Sequence, residues 1–137
     1  MPPQFLPSRP LSSTVWASPQ LSTDALPELA ASGARRIISN RPDGEDPGQP
    51  TAAEMETAAK GAGMAFAWVP VTGLPGPDQV AAVAQLLADD TPTVMFCRSG
   101  MRSTTAWAMA ERLKGVDADA LKETALRAGY DLSRVPL

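Results

Sequence analysis

Seven consecutive residues concentrate the reactive side chains of this sequence: Cys97-Arg98-Ser99-Gly100-Met101-Arg102-Ser103. They follow an apolar run, Thr93-Val94-Met95-Phe96, that reads as a strand, and they lead into a stretch that reads as a helix. In open α/β sheets, ligands bind beyond the carboxyl ends of the strands. A loop at that point, entering a helix, aims successive backbone N–H groups at one place, and the helix dipole adds positive potential. Gly100 permits the backbone conformation of a tight cradle. Arg98 and Arg102 add fixed positive charge, and the guanidinium fork suits oxyanions. A thiol in such a cradle is expected to titrate low and to be largely thiolate at neutral pH. A lone cysteine after an apolar strand is often a small buried hydrophobe. The glycine and two arginines at this spacing argue instead for an anion-binding loop around a nucleophile. Cys97 and Arg102 are the expected catalytic pair, with Arg98, Ser99, Gly100, Met101 and Ser103 as the substrate-binding wall.

Composition removes many other chemistries. The 137-residue chain has no histidine and one cysteine. That leaves no internal disulfide, no His/Cys zinc site, no histidine base and no Ser-His-Asp or Cys-His catalysis. No metal and no cofactor are expected. The net charge of −3 argues against a nucleic-acid footprint. No apolar run approaches the roughly 20 residues of a membrane helix. The N-terminus lacks a charged segment followed by an apolar one, so no export signal is expected, and one free thiol fits a reducing cytoplasm.

The elements that must position the loop can be read from the turn residues and apolar periods. Proline, at 14 residues, clusters at 2–10, 42–50 and 70–77, where it punctuates a folded chain. Residues 1–12 read as an extended entry segment and 13–137 as one catalytic domain. Strands are expected at 14–17, 35–40, 65–71 and 93–96. Helices are expected from Ser22 or Thr23 to about 32, from a Thr51–Glu54 capping box to about 61–63, from an Asp78 cap to about 88, at about 103–114, and at about 117–128 before Gly129. Strands alternating with helices predict a single-domain, three-layer α/β fold, a mostly parallel central sheet flanked by helices. Trp16, Trp68 and Trp107 are expected in core or rim packing.

Two further loops follow expected strands and so share the rim with Cys97. In the first, Arg41 is placed to contact an anionic substrate, and Asp43 to hold Arg41 or Arg102, the alternative being a plain Pro-Asp-Gly turn. Glu45 belongs to the same loop. In the second, Asp78 is a helix cap or a catalytic acid. Ser103 donates to the thiolate or simply begins a helix.

The string Cys-Arg-Ser-Gly-Met-Arg-Ser resembles the active-site loop of rhodaneses and approaches that of the protein tyrosine phosphatases. The pattern here is Cys-x4-Arg, whereas those phosphatases have one more residue before the arginine, at the position of Ser103. A six-residue loop is what rhodaneses use to hold a sulfane sulfur. Further strings narrow the match: Ser18 to Leu21, Ile37 to Glu45, Pro47 to Pro50, and Ala128-Gly129-Tyr130-Asp131-Leu132. With the Cys97 loop they resemble the beta-lactamase hydrolase-like protein, phosphatase-like domain family, also called a sulfur transferase family, over residues 10 to 133. The resemblance implies a phosphatase-like fold with a rhodanese-like loop, and a persulfide dioxygenase as fused or neighbouring partner.

On this reading the Cys97 thiolate takes a sulfane sulfur from thiosulfate, a polysulfide or glutathione persulfide, and an external thiol such as glutathione removes it. Exchange at sulfur needs a good leaving group more than a proton donor. The alternative is a cysteine-dependent phosphatase with a Cys97 phosphoenzyme and Asp43, Glu45 or Asp78 as general acid. A second alternative is a persulfide carrier that accepts sulfur without turnover.

Overall fold

In a computed structural model, described here over residues 8–137, the chain forms one five-stranded sheet in the order β1-β2-β5-β3-β4. The strands are β1 (Arg9–Pro10), β2 (Val15–Ser18), β3 (Arg36–Ser39), β4 (Ala65–Trp68) and β5 (Thr93–Phe96). β1 runs antiparallel to β2, and all other pairings are parallel. The register aligns Ser18, Phe96, Ser39 and Trp68 across the carboxyl edge, so the loops after these four strands leave from one rim. β1 lies within the segment read from sequence as an extended entry; residues 1–7 of that segment lie outside the described residues.

The three inner strands, β2, β3 and β5, are short and largely buried, and their residues alternate between two cores, as the two-residue period of a strand dictates. Val15, Ala17, Ile38 and Met95 face one core, with Val83 of α3 (Pro77–Leu86), Trp107 of α4 (Met101–Leu113) and Leu121 of α5 (Ala118–Arg127). Trp16, Ile37, Val94 and Phe96 face the other, with Leu26 of α1 (Ala25–Ala31) and Met55 of α2 (Ala52–Gly61). The three-layer α/β fold with a mostly parallel sheet is therefore present.

Local chemistry explains the element ends. The Thr51–Glu54 capping box forms as its residue types require: Thr51 Oγ1 accepts from Glu54 N, and Glu54 Oε1 accepts from Thr51 N, each at 3.1 Å. Asp117 caps α5 by accepting from Ala120 N. Three sequence expectations shift. β4 stops at Trp68, because Pro70 has no N–H for the ladder, although Val69 and Val71 still donate to Ser39 and Asn40 carbonyls. α3 is not capped by Asp78. Gly76 is its N-cap and Pro77 its first residue, which suits proline's fixed φ, and Gln79 Oε1 accepts from Gly76 N. α4 begins at Met101 rather than near Ser103, since Gly100 ends the Cys97 loop in the left-handed region, φ 99°, and serves as N-cap.

Candidate active site

The Cys97 loop is a short bridge from β5 to α4, and its carbonyls are held from outside. Arg98 O accepts from Gln20 N, Ser99 O from the Tyr130 hydroxyl at 3.1 Å, and Gly100 O from Thr104 N and Thr104 Oγ1. A trans peptide points its N–H opposite to its C=O, so each outward carbonyl turns the next amide inward. The Gly100 N–H reaches the Cys97 sulfur at 3.1 Å. The sequence predicts successive loop amides converging on one point at the sulfur, and here only one reaches it. The Met101 N–H turns to Ser99 Oγ, and the amides of Ser99, Arg102 and Ser103 have no acceptor among the described residues. Such orphan donors are what a helix N-terminus offers to an anion.

Cys97 is fully buried. Its neighbours are nevertheless polar. Arg102 sits half-buried at the first turn of α4, and its guanidinium is oriented by three bonds: Nη1 and Nη2 to the two Glu45 oxygens, 2.8 Å each, and Nη1 to Val71 O at 2.7 Å. Hydrogen bonding to Glu45 holds the guanidinium above its ordinary range; burial opposes this, and the neighbouring Cys97 charge adds to it. The same fork drops Glu45 to about 2 from an ordinary 4.5; burial opposes that drop, and Arg41 reinforces it. Glu45 is thus a carboxylate across the neutral range, an orienting group rather than a proton donor.

The other expected site residues separate. Arg98 is exposed, 70% at the side chain, and touches Asp46 at 3.5 Å. Arg41, expected to meet substrate, is instead 4% exposed: Nε donates to Glu45, Nη1 to Gln20 Oε1 and Nη2 to Asp46. A guanidinium so enclosed has to be matched by acceptors, and this one anchors the acidic loop. Asp43 holds neither arginine; it accepts from Ala52 N at the start of α2, near the turn reading. Ser103 does not donate to the sulfur, because its hydroxyl donates to Asn40 Oδ1 at 2.8 Å. Asp78 is exposed in the first turn of α3, with no bond from its side chain to the helix end. Of the tryptophans, Trp16 and Trp107 are core, and Trp68 lies on the rim with its indole N–H on Arg41 O.

Sequence reasoning puts Asn40 in the loop that shares the rim, without a role of its own, and gives no site role to Tyr130 or Gln20. Asn40 follows β3 as Cys97 follows β5, and its side chain binds Val69 O as well as Ser103. The signals for Tyr130 are its place after Gly129, where the chain leaves the last helix, and its membership of the Ala128 to Leu132 string. Among the described residues no three His, Cys, Asp or Glu side chains come together as a metal site would require, and no helix is long and apolar enough to cross a membrane.

With its buried cysteine between a parallel strand and a helix N-terminus, and an oriented arginine one turn on, the chain shares its α/β fold with phosphatase-like solved structures. Kinase associated phosphatase, a protein with a catalytic-site cysteine, has this fold, with a TM-score of 0.70 at 14% identity over 88% of this chain and 81% of that one. The chain belongs to the family described as beta-lactamase hydrolase-like protein, phosphatase-like domain, whose pattern matches residues 8–114. The beta-lactamase hydrolase-like protein of Agrobacterium fabrum is 34% identical over 109 residues, 77% of this chain and 25% of that protein. That of Xylella fastidiosa strain Temecula1 is 33% identical over 85% of this chain and 28% of its own length. The chain therefore spans about a quarter of the curated relatives it matches. A crystal structure from Neisseria meningitidis Z2491, described as a candidate phosphatase, superposes with a TM-score of 0.81 at 29% identity, covering 92% and 91% of the two chains.

Proposed function

We propose that this domain moves a sulfane sulfur through a persulfide on Cys97. The observation that carries this reading is the state of Glu45. The carboxylate bonded to the loop arginine is ionised and held in a two-pronged salt bridge, so it serves binding and not proton donation. Displacement of an alkoxide from phosphorus calls for a proton donor, whereas displacement of sulfite or a thiolate from sulfur does not. The Cys97 thiolate attacks the outer sulfur of thiosulfate, the S–S bond breaks, and sulfite leaves with the electron pair. The new terminal sulfur carries one negative charge, stabilised by the Gly100 amide and Arg102. An external thiolate then attacks that sulfur, departs as a persulfide, and restores the Cys97 thiolate. One cysteine in the chain means that the acceptor comes from outside.

The test is turnover of thiosulfate with cyanide or glutathione against hydrolysis of p-nitrophenyl phosphate. Sulfur transfer abolished by Cys97→Ser supports the reading; phosphate turnover without sulfur transfer rejects it. The second reading, a cysteine-dependent phosphatase, is favoured by the description of the Neisseria relative and by the fold. It also has an acid to offer: Asp78 has no side-chain bond to the start of α3, a few residues past the Val71 carbonyl that binds Arg102. Loss of phosphate turnover in Asp78→Asn would then replace sulfur transfer as the activity.

A further inference from the structure

One peptide group carries both the contact to the nucleophile and a contact from a distant side chain. The carbonyl of Ser99 and the amide of Gly100 are its two ends. The amide end donates to Cys97 Sγ at 3.1 Å, and the carbonyl end accepts from the Tyr130 hydroxyl at 3.1 Å. We propose that Tyr130 is a positioning residue that fixes the Ser99–Gly100 peptide plane, so that an N–H rather than a C=O faces the Cys97 sulfur.

The need for a fixing group arises at Gly100. A glycine at φ 99° lacks the side-chain sterics that would restrict rotation of the preceding peptide. A half-turn of that plane would put a carbonyl oxygen against a thiolate, two negative ends in a buried pocket. The adjoining loop peptides have other restraints: Gln20 N holds Arg98 O, and Thr104, on the helix the loop enters, holds Gly100 O. The Ser99 carbonyl is held by a side chain 31 residues away. A hydrogen bond to a carbonyl also polarises its amide, which strengthens the N–H toward the sulfur.

Tyr130 is built to stay in place. Its own N–H donates to Ala125 O at the end of α5, after Gly129 at φ 97° turns the chain back. Its ring lies over Gly100 so closely that a Cβ added there would sit 2.1 Å from the phenol oxygen and 2.7 Å from Cζ. A Cβ at position 100 would therefore displace the tyrosine, and the left-handed backbone disfavours one as well. Burial first, and then the Cys97 charge, raise the phenol above its ordinary range, against the pull of Arg9, so it remains a donor at neutral pH. The titratable groups that face Cys97 are Arg102 from α4 and this phenol from beyond α5, with Glu45 bonded to Arg102.

The inference rests on Cys97 being the nucleophile and holds whether sulfur or phosphorus is attacked. The experiment titrates the thiol directly, by the pH dependence of iodoacetamide alkylation and of thiolate absorbance. Tyr130→Phe removes one oxygen and keeps the ring over Gly100. It is expected to raise the Cys97 midpoint by about one pH unit, roughly a tenfold loss of thiolate below that midpoint, with kcat reduced and melting lowered by only a few degrees. Thr104→Val is the matched comparison, since it deletes a hydroxyl bond to the neighbouring carbonyl, whose amide is not on the sulfur. It should leave the midpoint within about 0.3 unit. An unchanged midpoint in Tyr130→Phe overturns the proposal, and so does an equal shift in both variants, which would mean general loosening of the loop. Absence of sulfur transfer in the wild type would reject the proposed reaction and leave the titration result standing.

Discussion

Arg41 and Arg98 hold the same place in the sheet and have opposite fates. Each lies two residues beyond the end of a parallel strand, and the strand ends, Ser39 and Phe96, are paired in register. Arg41 is 4% exposed, with its guanidinium shared among Glu45, Asp46 and Gln20. Arg98 is 70% exposed at its side chain, with one 3.5 Å contact to Asp46. The residues next in the chain make the difference. After Arg41 the chain runs through Pro-Asp-Gly-Glu-Asp, a turn that folds two carboxylates back over the guanidinium. After Arg98 it enters a helix within three residues, and the backbone is taken up in holding the sulfur. One loop is built of side-chain charge, the other of backbone amides, and the first orients the arginine that serves the second.

The comparison breaks most visibly at Arg41. Its replacement by alanine leaves Glu45 and Asp46 without their shared cation and opens a gap below the rim. The expected loss is about 2–3 kcal/mol, or roughly 6–12 °C of melting temperature for a domain of this size. A thermal melt of Arg41→Ala checks it. A variant as stable as wild type would show that the acidic loop stands without its anchor.

Glu45→Gln separates the two roles of the loop. The amide keeps the shape but loses the charge that grips Arg102, so kcat/KM is expected to fall by about tenfold to a hundredfold, through misorientation of that arginine. Acid stability gives a second readout. Glu45 is held at about 2 in the folded chain, from an ordinary 4.5, first by its bond to Arg102. A folded-state value below the unfolded one means stabilisation that is full above the unfolded value and lost as pH falls toward about 2. Wild type should therefore lose stability between these values more steeply than Glu45→Gln, as urea midpoints measured from pH 5 downward would record. Parallel slopes would place Glu45 outside the linkage.

How much of this can be read from the chain depends on sequence distance. The Cys97 loop is legible because its parts are contiguous: an apolar strand, then at once a thiol, a glycine and two arginines within the six positions from Cys97 to Arg102. The capping box at Thr51 and the alternation of the strands are local in the same sense. The clamp on Arg102 is not legible, since Glu45 lies 57 positions away and an acidic residue in a turn has many uses. Arg41 looks like a substrate arginine because position alone does not reveal burial. Ser103 looks like a thiolate donor because its hydroxyl's acceptor, Asn40, comes from the loop after β3, 63 positions away. Tyr130 sits over Gly100 only because α5 returns the chain to the rim.

The smallest expected effect sharpens the comparison from the other side. Arg98 is exposed, and its contact with Asp46 is a surface pair at 3.5 Å, so Arg98→Ala should change stability by less than about 0.5 kcal/mol. Its charge stands next to the nucleophile in sequence and points into solvent, where an approaching anion meets it before reaching the sulfur. The expected signature is a KM for an anionic donor raised several-fold, with kcat nearly unchanged, since uniform binding of ground and transition states is what a rim charge supplies. The effect should shrink as salt rises, because screening at about 0.15 M acts over roughly 8 Å. A matching fall in kcat would instead place Arg98 against the reacting atoms, and the two arginines would then differ in burial alone rather than in task.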